Sequence, residues 1–336
     1  MSLTLKDIAK MVGVAESTVS RAINNKPGVG KKTKAKIMEI VKEYNYKPNQ
    51  LAQGLAKNET HMLAIILSDL TTPGYTEIIK SIEAKVNKSG YQLIICNTDN
   101  NPQKEKAYLQ LLENNRVDGA VIVGGELADK NILNLALNKD NQIVLVNCLA
   151  EEMLIPTILI DSSHGSYLAT QHLYEQGAEK IAFIMGNNKD FQESEKLDGY
   201  KQALKDLEIS FYGDYVIETG GTRKDGFDSF FDLMALANPP QAFLATSDLL
   251  SVGLTEAVKM GGYFIPDDFL IVGYGESLIT SIIEPALTVI AEPLNQLGEL
   301  AASYLLKLVQ DDPLESVIRV LKPVLKMRKS TNPQIK

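Results

Sequence analysis

Glu16, Ser17 and Arg21 are the residues near the start of the chain whose types best suit contact with nucleic acid. All three fall on the polar side of a predicted helix that begins near Ala15. Arginine can donate two parallel hydrogen bonds to guanine, and serine or glutamate can meet neighbouring base edges or phosphates. An exposed face of short polar groups with one arginine suits a helix in the major groove of DNA. The pattern therefore predicts a base-reading helix, and a plain three-helix bundle with a solvated polar face is the alternative.

Three predicted helices must position that face. Thr4 can cap the first helix, and Gly13 ends it and supplies the tight turn before the second. A third helix spans Lys31 to Tyr44. The apolar positions at helical spacing are Leu5, Ile8, Ala9 and Val12 in the first helix, Val14, Thr18, Val19 and Ala22 or Ile23 in the second, and Ile37, Ile40, Val41 and Tyr44 in the third. Together they predict one small apolar core.

A short segment comes after the third helix. Pro48 biases the preceding residue away from helical geometry, and Asn49 can cap a fresh short helix with the sequence QLAQGLA. A helix this short is unstable alone in water. Gly54 lowers its helix propensity further, by about 1 kcal/mol relative to alanine.

Charge divides the chain into a basic start and an acidic remainder. Residues 1–60 contain 11 Lys and Arg against 5 Asp and Glu, and the rest contains 23 against 37. A basic segment attached to an acidic body is typical of a nucleic-acid-binding module joined to a domain that does not bind nucleic acid. Chance variation among surface lysines would give the same numbers, so charge alone leaves both interpretations open.

From His61 onward, continuous apolar runs alternate with amphipathic helical segments. Runs such as MLAIIL, GAVIV and KIAFIM predict strands that are buried on both faces, and the intervening helices favour parallel, doubly wound sheets. Helices are expected near 76–89, 104–114, 129–138, 164–176, 193–207, 223–237 and 249–260. Two such units in tandem predict two lobes around a cleft.

Ligands of open α/β sheets bind beyond the carboxyl ends of the strands. The residues just after the apolar runs that could bind a ligand are Thr71, Thr72, Tyr75, Gly124, Glu126, Asp161, Lys196, Asp248 and Glu276. Carboxylates and amides with one cation suit a sugar or a sugar phosphate. For Asp161 and Asp248, capping of the following helix is an alternative role.

The segments LKDIAKMVGV, STVSRAIN, KKTKAKIMEIVKEYNYKPN and LAQGLA, in this order, resemble the LacI/GalR family of transcription regulators. The resemblance continues through the body and covers nearly the whole chain. It implies a helix-turn-helix domain over residues 1–47, a hinge over 48–59 and a type I periplasmic-binding-protein fold over 60–336. The expected N-lobe comprises 60–160 and 291–321, and the expected C-lobe comprises 161–290 and 322–336.

The resemblance also implies which residues contact DNA. Glu16, Ser17 and Arg21 would contact bases, Asn24 and Thr33 would hold phosphates, and Leu55 would enter the minor groove as an apolar wedge that bends the duplex. The full expected DNA-binding set is Thr4, Leu5, Glu16, Ser17, Thr18, Ser20, Arg21, Asn24, Thr33, Asn49, Ala52, Gln53 and Leu55. Two copies of the chain would bind a palindromic operator as a homodimer.

The cleft departs from the family pattern at three positions. Lys196 stands where an arginine is common, Gly275-Glu276 replaces a pair of aspartates, and Gly221 replaces a stacking ring. Lysine keeps the positive charge but loses the bidentate fork of arginine. These changes make an ordinary free sugar a less certain effector. A phosphorylated or otherwise anionic effector, or control by a partner protein such as a phosphocarrier protein, gains weight.

Other function classes find little support in the residues. A solute-binding protein of transport would share the fold of residues 60–336, the body. The basic segment of residues 1–60, the head, and the missing signal-peptide pattern argue against this class. No nucleophile motif, glycine-rich dinucleotide fingerprint or zinc-ligand spacing occurs, so no enzymatic activity, cofactor or metal is expected. Cys96 and Cys148 lie in apolar runs and are expected to be buried thiols in a cytoplasmic protein.

Overall fold

The structure is a computed structural model. It describes residues 3–44, 46, 59–124, 142–148, 155–187, 190–332 and 334. The chain divides into two compact units, Met1–Thr60 and His61–Lys336. Among the described residues, no helix is both long enough and apolar enough to span a membrane.

The first unit contains the helices α1 (Leu5–Val12), α2 (Glu16–Ile23) and α3 (Lys31–Glu43). Thr4 caps α1: its side chain accepts from the Asp7 amide, and the Asp7 carboxylate accepts from the Thr4 amide. Gly13 has a φ of +73°, which an L-residue with a side chain adopts only under strain, and its amide donates to the Ala9 carbonyl. The buried core residues are Ile8, Ala9, Val19, Ala22 and Ile37.

The core of the first unit differs from the expectation at Tyr44. Its side chain is 51% exposed, and Tyr46 packs against the core instead. Tyr44 is the C-cap of α3, and the chain leaves the helix axis there, with the Tyr46 amide donating to the Val41 carbonyl. Because α3 ends at Glu43, the helical spacing that would point Tyr44 into the core no longer applies at that residue.

The second unit alternates strands and helices. The described strands are β1 (Met62–Leu67), β2 (Gln92–Asn97), β3 (Gly119–Val123), β4 (Ile143–Val146), β5 (Thr157–Ile160), β6 (Ile181–Met185), β7 (Val216–Glu218), β8 (Ala242–Ala245), β9 (Leu270–Tyr274), β10 (Thr288–Ala291), β11 (Ile318–Leu321) and β12 (Val324–Lys326). The described helices are α4 (Tyr75–Lys88), α5 (Pro102–Glu113), α6 (Ser162–Glu175), α7 (Phe191–Asp206), α8 (Arg223–Met234), α9 (Asp248–Met260), α10 (Leu278–Ile282) and α11 (Leu294–Val309). The helix expected near 129–138 lies outside the described residues.

These strands form two six-stranded sheets. The first sheet has the order β11-β5-β4-β3-β1-β2 and is parallel throughout. The second has the order β12-β10-β9-β8-β6-β7 and is parallel except where the edge strand β12 pairs antiparallel with β10. Its strands β6 and β8 are buried at every position, which explains their uninterrupted apolar sequences. The expected parallel, doubly wound architecture is confirmed, and β12 is an antiparallel addition.

Cys96 and Cys148 are both buried, as expected. Each sheet has apolar cores on its two faces. The lobe boundaries drawn from the sequence stay a prediction. β11, near the end of the chain, joins the first sheet, whereas β10, which precedes it, belongs to the second.

Candidate functional site

The polar face of α2 is exposed. Glu16, Ser17, Arg21 and Asn24 are exposed and Ser20 is half-buried, whereas Val19 and Ala22 on the opposite side are buried. This division follows from the sequence because positions three apart lie on one face of a helix. The expected base-reading residues therefore lie together on an accessible surface.

Two neighbouring contacts constrain the polar face of α2. The Asn24 side-chain amide donates to the Ser20 carbonyl at 3.0 Å, which closes the last turn of α2. A Cβ atom added to Gly28 would lie 3.4 Å from Arg21 Nη1, so the loop after α2 passes close to the guanidinium. Thr33, the expected phosphate ligand, is half-buried in the first turn of α3.

Other members of the expected DNA-binding set also serve the fold of the head. Thr4 is exposed, and its side chain takes part in the cap of α1. Leu5 packs against the core, and Thr18 is half-buried. Asn49, Ala52, Gln53 and Leu55 lie outside the described residues, so their roles stay predictions.

A second group of polar residues comes after four adjacent strands of the second sheet. Asp190 comes after β6, Asp248 after β8, Ser277 after β9 and Glu292 after β10. The strand order β10-β9-β8-β6 places the carboxyl ends of these strands side by side. Loops at that edge of a parallel sheet form the usual ligand site of such folds. We call the group Asp190, Glu193, Lys196, Asp248 and Glu292 the acidic cluster.

Lys196 is the cation within this group and is only 8% exposed. Its Nζ donates to Glu193 Oε1 at 2.8 Å and to the Thr246 carbonyl at 3.0 Å, and it lies 4.5 Å from the centre of the Tyr274 ring. Burial opposes the charged form, but the carboxylates of Glu193 and Glu292 outweigh burial and raise the Lys196 pKa. Lys196 therefore stays protonated, and its ammonium group is bound by residues of the same chain.

Three carboxyl groups of the cluster, those of Asp190, Asp248 and Glu292, are harder to ionise than usual. Burial raises the pKa of Asp248 to about 6, and Ser277 and Lys196 act against that shift. Burial also raises the pKa values of Asp190 and Glu292, with Lys196 opposing both shifts. Glu193 adds to the shift in both cases, because it is a like charge nearby.

The first sheet contributes Tyr75 and Gly124 next to this group. The Tyr75 hydroxyl lies 3.1 Å from Ser68 Oγ, and a Cβ atom on Gly124 would lie 2.4 Å from that hydroxyl. Burial raises the Tyr75 pKa, and the charges of Asp190 and Glu292 add to the shift. Residues that come after strands of both sheets thus influence one another electrostatically.

The remaining expected ligand residues have other contacts. Thr71 donates to Asp69 through its amide and its hydroxyl, both at 2.8 Å, and Thr72 donates its amide to the Asp69 carbonyl. Asp161 caps α6 by accepting from the His164 amide at 3.0 Å. Glu276 forms ion pairs with Lys326 and Arg328. Glu126 lies outside the described residues.

The structure also identifies polar residues that were not predicted from the sequence. Asp190, Glu193 and Glu292 belong to the acidic cluster, and Tyr274 supplies the ring over Lys196. Glu292 comes directly after the apolar run TVIA, the same signal that identified the other candidates. Glu292 was not included among the ligand residues predicted from the sequence.

Known proteins match the chain over both units. The family model "Bacterial regulatory proteins, lacI family" matches residues 4–49, and "Periplasmic binding proteins and sugar binding domain of LacI family" matches residues 60–329. The HTH-type transcriptional repressor PurR of Histophilus somni (strain 129Pt) is 31% identical over 97% of this chain and 98% of the relative. A structure of the Lac repressor dimer bound to operator and the anti-inducer ONPF covers 98% of this chain and 99% of that one, with a TM-score of 0.88 and 24% identity.

A further structure is similar to most of the chain. The transcription regulator CcpA of Lactococcus lactis is 30% identical, covers 81% of this chain and 99% of its own, and has a TM-score of 0.74. The two family matches, together with the whole-length relative, account for nearly every residue from Thr4 to Lys329. The chain belongs to the LacI family of bacterial DNA-binding transcriptional regulators.

Proposed function

We propose that the chain is a homodimeric repressor of carbohydrate-utilisation genes, acting in the cytoplasm on a palindromic operator and controlled by a small hydroxyl-bearing effector. The observation that carries the DNA-binding part is the exposed polar face of α2, with Glu16, Ser17 and Arg21 on one accessible surface. The acidic cluster carries the effector part, because polar groups after strands of both sheets converge there.

The hinge is the proposed link between effector and DNA. An effector with different affinities for two arrangements of the lobes shifts the population between them. The N-lobes would then move relative to one another in the dimer, and the two hinge helices would fold or melt on the operator. Leu55 is the proposed minor-groove wedge, and Gly54 makes the hinge helix depend more strongly on bound DNA.

An exposed apolar surface supports the homodimer. On the short helix α10, Leu278, Ile279 and Ile282 are exposed, and Ile282 is 69% accessible. Phe264, in the loop after α9, is 70% accessible. Large apolar side chains that are exposed in a group mark a surface that binds another protein. A second copy of the chain is the proposed occupant.

Two classes of controlling signal are consistent with the residues. The sequence favours a sugar or a sugar phosphate as effector. The pairing of Lys196 with Glu193 favours the unphosphorylated class, because the cation of the cluster is already engaged. Control by a partner protein, with the chain acting as a global carbon-catabolite regulator, is the second candidate. The 30% identity to the CcpA structure favours it.

The test compares the full chain with a version that begins at His61, the first residue of the second unit. Binding to double-stranded DNA is measured between about 50 and 200 mM salt, where phosphate contacts make affinity fall steeply. The full chain is expected to bind with a strong salt dependence, and the shortened chain is expected not to bind. Equal binding by both versions would remove DNA recognition from the head.

A further inference from the structure

Most of the hydrogen-bonding capacity of Lys196 is used within the protein. A lysine ammonium has three donor hydrogens. Two are used by Glu193 Oε1 and the Thr246 carbonyl, and the ammonium also lies over the Tyr274 ring. Glu193 is itself held in place, because its Oε2 accepts from the Gly186 amide at 2.8 Å and from the Thr246 hydroxyl at 2.6 Å. The charge of Lys196 is therefore already balanced by Glu193.

Three further carboxylates of the cluster have no cation of their own among the described residues. Asp190, Asp248 and Glu292 all interact electrostatically with Lys196, whose single charge Glu193 already balances. Arg328 also acts on Asp248, but its guanidinium is paired with Glu276 at 3.1 Å. Burial makes these carboxyl groups harder to ionise, so a cation beside them would favour their charged forms and an anion would oppose those forms further.

Buried polar atoms without a partner lie in the same place. Asp248 is 5% exposed, and its Oδ1 accepts no hydrogen bond from any described residue. Gln192 Nε2, on α7, is likewise buried and unpartnered within the described part of the chain. Buried polar groups of folded proteins are normally hydrogen-bonded, so these atoms indicate a site that is completed by a ligand. A ligand that satisfies them must donate to Asp248 Oδ1 and accept from Gln192 Nε2.

Gly275 keeps Asp248 in this position. A Cβ atom at Gly275 would lie 2.8 Å from Asp248 Oδ1, and the glycine has a φ of +93°. A side chain at position 275, such as the aspartate that is common in the family, would contact the unpartnered oxygen directly. The glycine therefore keeps a side chain away from Asp248 Oδ1.

We propose that the effector is a hydroxyl-bearing amine whose protonated nitrogen binds at Asp248 and Glu292. The ligand's ammonium favours the charged forms of these two carboxyl groups, and one of its hydroxyl groups accepts a hydrogen bond from Gln192 Nε2. This inference rests on the proposed function, in which the acidic cluster binds the effector.

The experiment offers the same sugar ring in three charge states. Thermal shift and calorimetry at pH 7 are carried out on the full chain with glucose, glucosamine and glucose 6-phosphate, and with the corresponding galactose and mannose series. A ligand that binds the native state raises its melting temperature. For at least one ring, the amine is expected to raise the melting temperature more than the neutral or phosphorylated form.

Two Glu→Gln variants test whether a carboxylate of the acidic cluster binds the ammonium group of the ligand. Glu292→Gln removes one carboxylate of the cluster and is expected to weaken the binding amine at least about tenfold, the effect of one unit of pKa. Glu315→Gln is the control, because the Glu315 side chain is 88% exposed and lies 3.8 Å from Lys307, outside the acidic cluster. Its affinity for the amine is expected to equal that of the parent protein.

A larger shift with a neutral or phosphorylated ring, no shift with any of the three amines, or an unchanged affinity in Glu292→Gln would overturn the proposal. DNA binding by the ligand-free chain is measured in the same preparations. If the ligand-free chain binds DNA but none of the amines binds the chain, the proposed repressor function stands and only the proposed ligand class is wrong. If DNA binding itself is absent, the proposed function fails first.

Discussion

At the scale of single residues, the buried charge of Asp248 lowers the stability of the folded protein. Ser247, not Asp248, caps α9 by accepting from the Leu250 amide at 3.3 Å. Asp248 is therefore not needed as a cap, although it stands at the first position of the helix. Its charge is buried at a cost that Ser277 and Lys196 only partly offset. Such a residue is a candidate for binding more than for folding.

Asp248→Asn is expected to stabilise the ligand-free protein at pH 7. The folded-state pKa is about 6 against the ordinary value of 3.8, so the folded state binds the proton more tightly than the unfolded state. The stability that this group contributes to the parent protein is present below about pH 4 and lost as pH rises through 6, up to about 3 kcal/mol. Urea unfolding at pH 7 and pH 4 is expected to show a gain at pH 7 that disappears at pH 4.

The control for that measurement is Asp228→Asn, which removes an exposed partner of Lys224 and should change stability by less than about 1 kcal/mol. A loss of stability in Asp248→Asn at pH 7 would show that the carboxylate is compensated in the folded state.

Arg21 is the residue on which base discrimination is expected to depend. Arg21→Ala should cost about 1–3 kcal/mol on the operator and relax the base preference at one position of each half-site. Fluorescence anisotropy with operator and with random DNA separates the two possible roles. If both affinities fall by the same factor, Arg21 contacts phosphate only.

Residue chemistry explains why part of the cluster could be predicted. Lys196 and Asp248 were predicted because ligands of open α/β sheets bind beyond the carboxyl ends of the strands, where both residues follow apolar runs. Glu276 satisfies the same rule but lies in ion pairs with Lys326 and Arg328, which come from the end of the chain. That pairing depends on β12 lying next to β10, a contact that local sequence does not encode.

At the scale of elements, the regular parts of the chain follow from pattern and propensity. Buried strands such as β3 and β6 have no polar positions, and helices such as α1 have caps that the sequence shows. The exceptions occur at element ends. Tyr44 leaves the core where α3 terminates, and β12 is only three residues long, too short for an apolar pattern to reveal its direction.

The hinge provides the prediction at this scale. Gly54→Ala should raise the helix propensity of each hinge by about 1 kcal/mol and so increase operator affinity about fivefold or more. Affinity for random DNA is the internal control and should stay constant, because the hinge helix is expected to fold only on the operator. An operator affinity that does not change would mean that the hinge is not a helix in the complex.

At the scale of the whole molecule, charge is expected to govern DNA binding, and the exposed apolar surface is expected to govern dimer formation. Residues 1–60 are basic and the remainder is acidic, so the body repels the DNA that the head binds. Strand alternation predicted the two sheets, but the exposed α10 surface required the structure. Only a three-dimensional arrangement shows that Leu278, Ile279 and Ile282 stay uncovered.

Disruption of that surface should separate the dimer. Leu278→Glu combined with Ile282→Glu is expected to give monomers in sedimentation experiments and to weaken operator binding about 100-fold or more, because two linked heads bind with effective concentration. Phe211→Glu is the control, since Phe211 is 49% exposed on a different loop and should leave the dimer intact. Dimers that persist in the double variant would place the interface elsewhere.

Selection of DNA by the full chain tests the central claim most directly. Random double-stranded DNA is enriched for binding, and the affinity of the enriched sequences is then compared with that of random DNA at one salt concentration near about 0.15 M. A homodimer with one α2 helix per half-site should enrich a palindrome and bind it at least about 10³-fold more tightly than random DNA. Enrichment of no common sequence, or equal affinity for enriched and random DNA, would contradict the account.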